Sequence, residues 1–316
     1  MHVDRRGFLN AAGCSIAAAA WPRPARAADD AASRTRLILL GTKGGPSRTP
    51  TAIDRHLPTQ VLVVRGVPYV VDCGLGVTDQ VVRAGIALRS LRHVFITHHH
   101  SDHDLEYGNL FYTAWATGLT TAVDSWGPPP LAEMTRQFFA LNALDIDIRI
   151  PDEGRPDPRP LLRPHEFTAG GVVMRNDDVK VTAALVQHPP VVPAFAYRFD
   201  AADRSIVISG DTAYSESLIA LAKGADVLVH EAMYLPAIEQ LAQRIGNGAR
   251  LIEHLKAAHT TTEDVGRVAA AAGVKLLVLS HLVPGDDPSI TDEMWSAGPR
   301  QHYNGRIVVG RDLLEI

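Results

Sequence analysis

The part of this 316-residue chain with the clearest chemistry is Thr97-His98-His99-His100-Ser101-Asp102-His103, which follows the apolar run Val94-Phe95-Ile96 directly. Four side chains able to bind a metal therefore leave one strand end together. Neutral imidazole and carboxylate suit zinc, and alternate residues of an extended segment project the same way. His98 and His100 can thus share one ion while Asp102 and His103 serve a second. The plain alternative is a solvated histidine-rich loop, but such a loop has no reason to carry an aspartate at this spacing after a buried strand. The remaining ligands must come from distant strand ends. His188 follows Val179–Val186, Asp211 follows Ile206-Val207-Ile208-Ser209-Gly210, and His281 follows Leu276-Leu277-Val278-Leu279-Ser280. Each alone is an ordinary polar residue, but together, capping apolar strands in order, they complete two sites.

The elements that must position these residues are short β-rich runs broken by turn residues. We expect strands at Leu37–Leu40, Gln60–Arg65, Pro68–Asp72 and His93–Thr97, with a helix over Thr78–Ala87 feeding the strand that ends at His98. The second half repeats the pattern at Val179–Val186, Ala194–Phe199, Ser205–Ser209, Val227–Val229, Leu276–Leu279 and Arg306–Val309. Helices are expected over Ser215–Lys223, Leu235–Ile245 and Thr262–Ala272, the last opened by the capping sequence Thr261-Thr262-Glu263-Asp264. Residues 124–170 differ: Gly127-Pro128-Pro129-Pro130, a helix over Leu131–Leu144, then five further prolines. Proline denies donors to a central sheet, so this segment reads as an insertion over the surface, either walling the active site or serving as a rigid connection. The fold class is α/β: two mixed sheets packed face to face and flanked by helices, as one domain over residues 28–316.

From Leu37 onward, the order of Asp72-Cys73-Gly74-Leu75-Gly76, the His98–His103 cluster, His188, Ser209-Gly210-Asp211-Thr212, His230-Glu231-Ala232, His259-Thr260-Thr261 and His281 resembles the metallo-β-lactamase superfamily. The branch most similar holds ribonuclease Z and the arylsulfatase-like hydrolases. The resemblance implies an αββα sandwich. It also implies one zinc on His98, His100 and His188, another on Asp102, His103 and His281, and Asp211 bridging both, with manganese or iron as substitutes. His99 takes no role in it. His259 is implied as proton donor to the leaving group, with Glu231 orienting its imidazole and Asp72 hydrogen-bonded to a ligand histidine. For His259 the plain alternative is a histidine at a helix start, and for His230 a packed structural residue.

The N-terminus carries its own signal. Arg5-Arg6-Gly7-Phe8-Leu9 precedes an alanine-rich run, and Ala25-Arg26-Ala27 offers small residues for a peptidase, so residues 1–27 read as a twin-arginine export signal and the product as periplasmic or secreted. Removing them takes away Arg5, Arg6, Arg23, Arg26 and Asp4, moving the formal charge from −4 to −7. An acidic surface argues against a nucleic-acid polyanion as substrate. Only Cys73 would remain, so no internal disulfide forms, and no later apolar run is long enough to anchor the chain in a membrane. A homodimer is left open.

Two zinc ions close together would supply hydroxide at neutral pH, with Asp102 orienting it and His259 protonating the departing oxygen. The expected function is hydrolysis of a small phosphate or sulfate ester. A lactone or other carboxylic ester follows, then a β-lactam. A non-catalytic zinc-binding protein is the alternative of another class, though a structural zinc would need neither a bridging carboxylate nor a proton donor.

Overall fold

The computed structural model describes residues 34–48, 50 and 53–316. The export signal of residues 1–27 lies outside the described residues.

The chain opens with β1 (Arg36–Gly41), β2 (Thr59–Val64) and β3 (Val67–Val71), an antiparallel run. The helix α1 (Val77–Arg83) then carries it across to β4 (His93–Phe95), parallel to β3. After β4 come a single helical turn, α2 (Ser101–Asp104), and α3 (Tyr107–Ala116), then β5 (Val123–Gly127), α4 (Leu131–Leu141), α5 (Ala143–Glu153) and β6 (Leu162–Glu166). The second half begins with β7 (Gly171–Arg175), β8 (Val179–Leu185), β9 (Phe195–Ala201) and β10 (Ser205–Ile208). It continues through α6 (Glu216–Ala222), β11 (Val227–Met233), α7 (Leu235–Ala242), α8 (Gly248–Ala258), α9 (Thr262–Ala272), β12 (Leu276–Val283), α10 (Asp292–Arg300), β13 (Arg306–Val309) and β14 (Leu314–Glu315).

Two seven-stranded sheets result, ordered β14-β1-β2-β3-β4-β5-β6 and β13-β12-β11-β10-β9-β8-β7. Each has an antiparallel part followed by a parallel part: β3 to β6 in one, β10 to β13 in the other. Alternation along the strands sends one set of apolar residues between the sheets, including Leu37, Leu39, Phe95, Tyr197, Phe199 and Ile208. The opposite set goes outward under helices, Val70 and Val94 clustering with Phe111 and Trp115 of α3 on one side, and Val207, Leu228 and Leu277 with Val265 of α9 on the other. Within the central layer Phe95 stacks on Trp126 at 4.9 Å and meets Phe199 edge-on at 5.2 Å, pairs that contribute about 0.5–1.5 kcal/mol each beyond area burial. The expected four-layer α/β sandwich is what forms.

Two expectations need correction. The proline-rich segment is not a surface insertion throughout, because β5 and β6 within it belong to the first sheet. Pro164 is accommodated because β6 is the sheet edge, where a missing donor can face outward without breaking the ladder. The helix expected over Leu131–Leu144 ends at Leu141 and a second follows, tolerating Pro151 in its last turn. Among the described residues no helix is long and apolar enough to cross a membrane.

Candidate metal centre

Parallel strands deliver the polar residues. The ends of β3, β4, β10, β11 and β12 lie on one rim of the sandwich, and the loop after β8 joins them there, bringing Asp72, His98, Asp211, Glu231, His281 and His188 together. His281 gets its aim from an irregularity: β11 and β12 slip register between Glu231 and Ala232, leaving His281 as the bulged residue at φ 42°. Gly44 lies against it, and a Cβ there would stand 2.5 Å from the His281 ring, so only glycine lets that loop pass.

The first cluster is His98, His100, His188 and Asp211. His188 Nδ1 donates to the carbonyl of Ala258 at 2.8 Å, which fixes its proton outward and its Nε2 lone pair inward. The Thr97 hydroxyl donates to Asp72 at 2.9 Å, so the 3.0 Å contact between it and His98 has Nδ1 of His98 as donor, again leaving Nε2 inward. Both inward nitrogens lie 3.0 Å from His100 Nδ1, which has at most one proton to share between them. Three lone pairs thus converge where one cation would satisfy all of them. Burial holds all three imidazoles below their usual basicity, keeping them neutral as ligands must be.

The second cluster is Asp102, His103, Asp211 and His281. His103 Nε2 is 3.3 Å and His281 Nε2 3.0 Å from the same Asp211 oxygen, and His281 is 3.4 Å from Asp102. None of these inward nitrogens has a hydrogen bond of acceptable angle, and Asp211 Oδ1 is equally buried and unpartnered. Unsatisfied polar atoms at this depth each cost about 1–3 kcal/mol unless something fills the gap. Burial opposes charge on His281, but Asp211 and Asp102 outweigh it and push the imidazole up to about 10. Burial likewise works against the Asp211 carboxylate, yet His103 and His281 hold it well below the usual range. Here protons stand where a divalent cation fits, so the donor set matches a metal in both clusters. Asp72 accepts from His103 Nδ1 at 2.8 Å and from the Thr97 amide at 2.8 Å, which sets the orientation of His103.

His259 stands outside both clusters. Its Nδ1 bonds Glu231 Oε2 at 2.8 Å, and the other Glu231 oxygen accepts from the Thr212 amide at 2.6 Å. Burial opposes protonation of His259, and Glu231 overcomes it, raising its basicity. With Nδ1 engaged, Nε2 is the nitrogen available to the cavity that His259 lines. Glu231, His259 and His281 are also close enough to hold a cation, but the hydrogen bond already spends the His259 donor position. His99 turns away, bonded to Asp104 at 2.8 Å and to the Pro128 carbonyl at 2.8 Å. His230 is buried, bonded through Nδ1 to its neighbour's carbonyl, and takes no part in the centre.

The cavity above the centre measures about 860 Å³ and is lined by the Lys43–Ser47 loop, by His100, Asp102, Asp211, His259 and His281, by α7 and α8, and by residues of the 283–288 stretch. None of its lining comes from 124–170, so that segment does not wall the site. The α7–α8 wall was not expected from the sequence. Its signal was present as apolar residues at helical spacing, but nothing in that spacing says that a cavity, rather than a core, lies beside them.

Residues 69–282 match the family model described as a β-lactamase superfamily domain. A ribonuclease Z of Mycobacterium bovis (strain BCG / Pasteur 1173P2) is 33% identical over 280 residues, spanning 88% of this chain and 96% of that protein. One from Mycobacterium sp. (strain KMS) is 36% identical over 282 residues, spanning 88% and 94%. The chain is a ribonuclease Z-like member of the metallo-β-lactamase superfamily. Solved structures agree on this superfamily's fold: the protein YhfI of Bacillus subtilis superposes with TM-score 0.66 at 17% identity, covering 89% of this chain and 98% of that one. The short form of human tRNase Z gives 0.64 at 20%, covering 89% and 98%. As a ribonuclease Z-like chain it overturns one expectation, that its acidic balance argues against nucleic acid. The relatives are named for a ribonuclease. Net charge is an average over the whole surface, whereas a phosphodiester is gripped locally, at a centre built to hold cations.

Proposed function

We propose that this protein is a dinuclear zinc-dependent phosphodiester hydrolase, with His98, His100 and His188 holding one ion, Asp102, His103 and His281 the other, and Asp211 shared. The reading is carried by one observation: two convergent ligand clusters joined at Asp211 open, through His100, Asp102, Asp211 and His281, on a cavity that is also lined by His259, which Glu231 holds separately. When bound, the ions supply Lewis acidity and acidify water at neutral pH. The chain does the rest. The Gly45 amide donates to Asp102 at 2.9 Å and sets its carboxylate toward the attacking water. His259, steadied by Glu231, carries the proton from Nε2 to the departing oxygen. Either a phosphodiester or an acyl ester would use such a donor for its leaving alkoxide, and the relatives named ribonuclease Z favour the phosphodiester. The same relatives support RNA as a member of that class. In the same reading residues 1–27 export the enzyme, supported by Arg5-Arg6 and Ala25-Arg26-Ala27.

The test is turnover of bis(4-nitrophenyl) phosphate and of a short RNA by the zinc-loaded protein, beside an aryl sulfate and a lactone. Loss of diester hydrolysis on chelation and its return with zinc are expected. Preferential turnover of the sulfate or the lactone, or no turnover of any diester, refutes the reading.

A further inference from the structure

The cavity is several times larger than a phosphoryl group, and one wall of it is chemically distinct. Leu241 of α7 faces it together with Leu251 and Leu255 of α8, the latter pair four residues apart on one helical face. Beneath them Ile238 and Leu255 pack with Met233 in a small apolar cluster separate from the main cores, so the hairpin has its own floor. Leu241 is 39% exposed, an apolar side chain left partly in water at the edge of a site. Lys43 also lines the cavity, but its ammonium is bonded to the carbonyls of Gly44 and Gly45 at 3.2 and 3.3 Å and holds that loop in place. In the phosphodiester reading the anionic part of a ligand belongs at the cluster side; on the α7–α8 side Gln240, Arg244 and His254 also line the cavity, and the three leucines with Ala237 and Ile238 form an apolar patch beside them.

Resting on the phosphodiester reading, we infer that this wall receives one apolar substituent of the diester, an alkyl or aryl group that stays on the phosphate while the other ester bond is broken. Water adds its oxygen to phosphorus, the bond to the leaving oxygen breaks, and that oxygen departs with the proton, so the apolar group ends on a phosphomonoester. Filling the wall removes the substituent and the exposed parts of Leu241 and Leu251 from water, a gain proportional to area and independent of the chemistry at phosphorus.

A series of 4-nitrophenyl n-alkyl phosphates, from methyl to hexyl, tests this with one leaving group throughout and with the zinc-loaded protein. The wild type is expected to show kcat/KM rising about fourfold per methylene until the wall is covered. In Leu241→Gln/Leu251→Gln the rise should flatten. A flat series with the methyl ester still turned over overturns this inference and leaves the phosphodiester reading standing. An undiminished rise in the double variant places the substituent elsewhere and overturns the assignment to α7–α8. Absence of turnover for every member overturns the parent reading and this inference with it.

Discussion

Replacing Glu231 by glutamine isolates the proton-donor pair from the metal clusters. The amide keeps the shape and one acceptor for the Thr212 amide, but removes the charge that His259 Nδ1 meets at 2.8 Å. A hydrogen bond to a charged group contributes about 1.5–3 kcal/mol, and part of it is felt only when His259 is cationic. On a diester with a strongly basic alkoxide leaving group, kcat/KM should fall about 10- to 100-fold, and His259→Ala should give the larger loss of about 10²–10⁴ expected when a general acid is removed. A nitrophenolate departs almost unaided, so on it both variants should stay within about threefold of wild type. The assay is kcat/KM across diesters of graded leaving-group basicity, on proteins matched for bound metal. Both variants should steepen the dependence on leaving-group pKa. Equal losses across the series, or metal leaving with either side chain, would refute the proton-donor assignment.

Three further outcomes are expected. Elemental analysis of the purified protein should find about two divalent ions per chain, with loss in His98→Ala and Asp211→Ala, and full retention of both ions in either variant contradicts the ligand assignment. Substituting lysine for both Arg5 and Arg6 should retain the precursor in the cytoplasm, whereas unchanged delivery points to the general secretory route. His93, stacked on Tyr69 at 4.6 Å with its Nδ1 unpartnered, is pushed by burial down to about 4. The unfolded chain takes this proton near its ordinary value, so the contribution of neutral His93 is whole above about pH 6.5 and lost as pH falls toward 4. Allowing for the ring's partial exposure it amounts to about 2 kcal/mol. Denaturant unfolding at pH 7 and pH 4.5 should show His93→Phe losing less stability than wild type, and equal losses would exclude His93 as a cause.

The ligands were legible in the sequence because they stand at, just beyond or within an apolar strand, and strand ends on one rim of a sandwich have little choice but to meet. Asp72 and Glu231 were legible only through family resemblance. Their partners, the Thr97 and Thr212 amides, are backbone groups, and spacing says nothing about which carboxylate they face. The strands β5 and β6 were lost to Pro128-Pro129-Pro130 just after the one and Pro164 within the other, since one-dimensional reading cannot tell an edge strand from a central one. The hairpin α7–α8 was half seen: Leu235–Ile245 was expected as a helix, but Gly246-Asn247-Gly248 obscured the start of the next. Charge misled for a similar reason, because a sum over the chain carries no position.

One segment ties the cavity wall to the chemistry. The helix α8 ends at Ala258, whose carbonyl fixes the outer nitrogen of His188, and the next residue is His259. The His259 amide in turn donates to the Leu255 carbonyl at 2.9 Å, so the last turn of the helix connects Leu255 in the wall, the His188 contact at Ala258 and His259 within five residues. A group packed against Leu255 therefore bears on the element that orients both histidines. The carbonyl end of a helix is also its partially negative end, which favours Nδ1–H of His188 pointing toward it and the free lone pair pointing inward. The proposed recognition at the wall would thus be mechanically continuous with preparation of the centre. A separate binding module grafted beside the clusters would lack that continuity, and this is why the α7–α8 hairpin, rather than the proline-rich segment, is the element expected to set substrate choice.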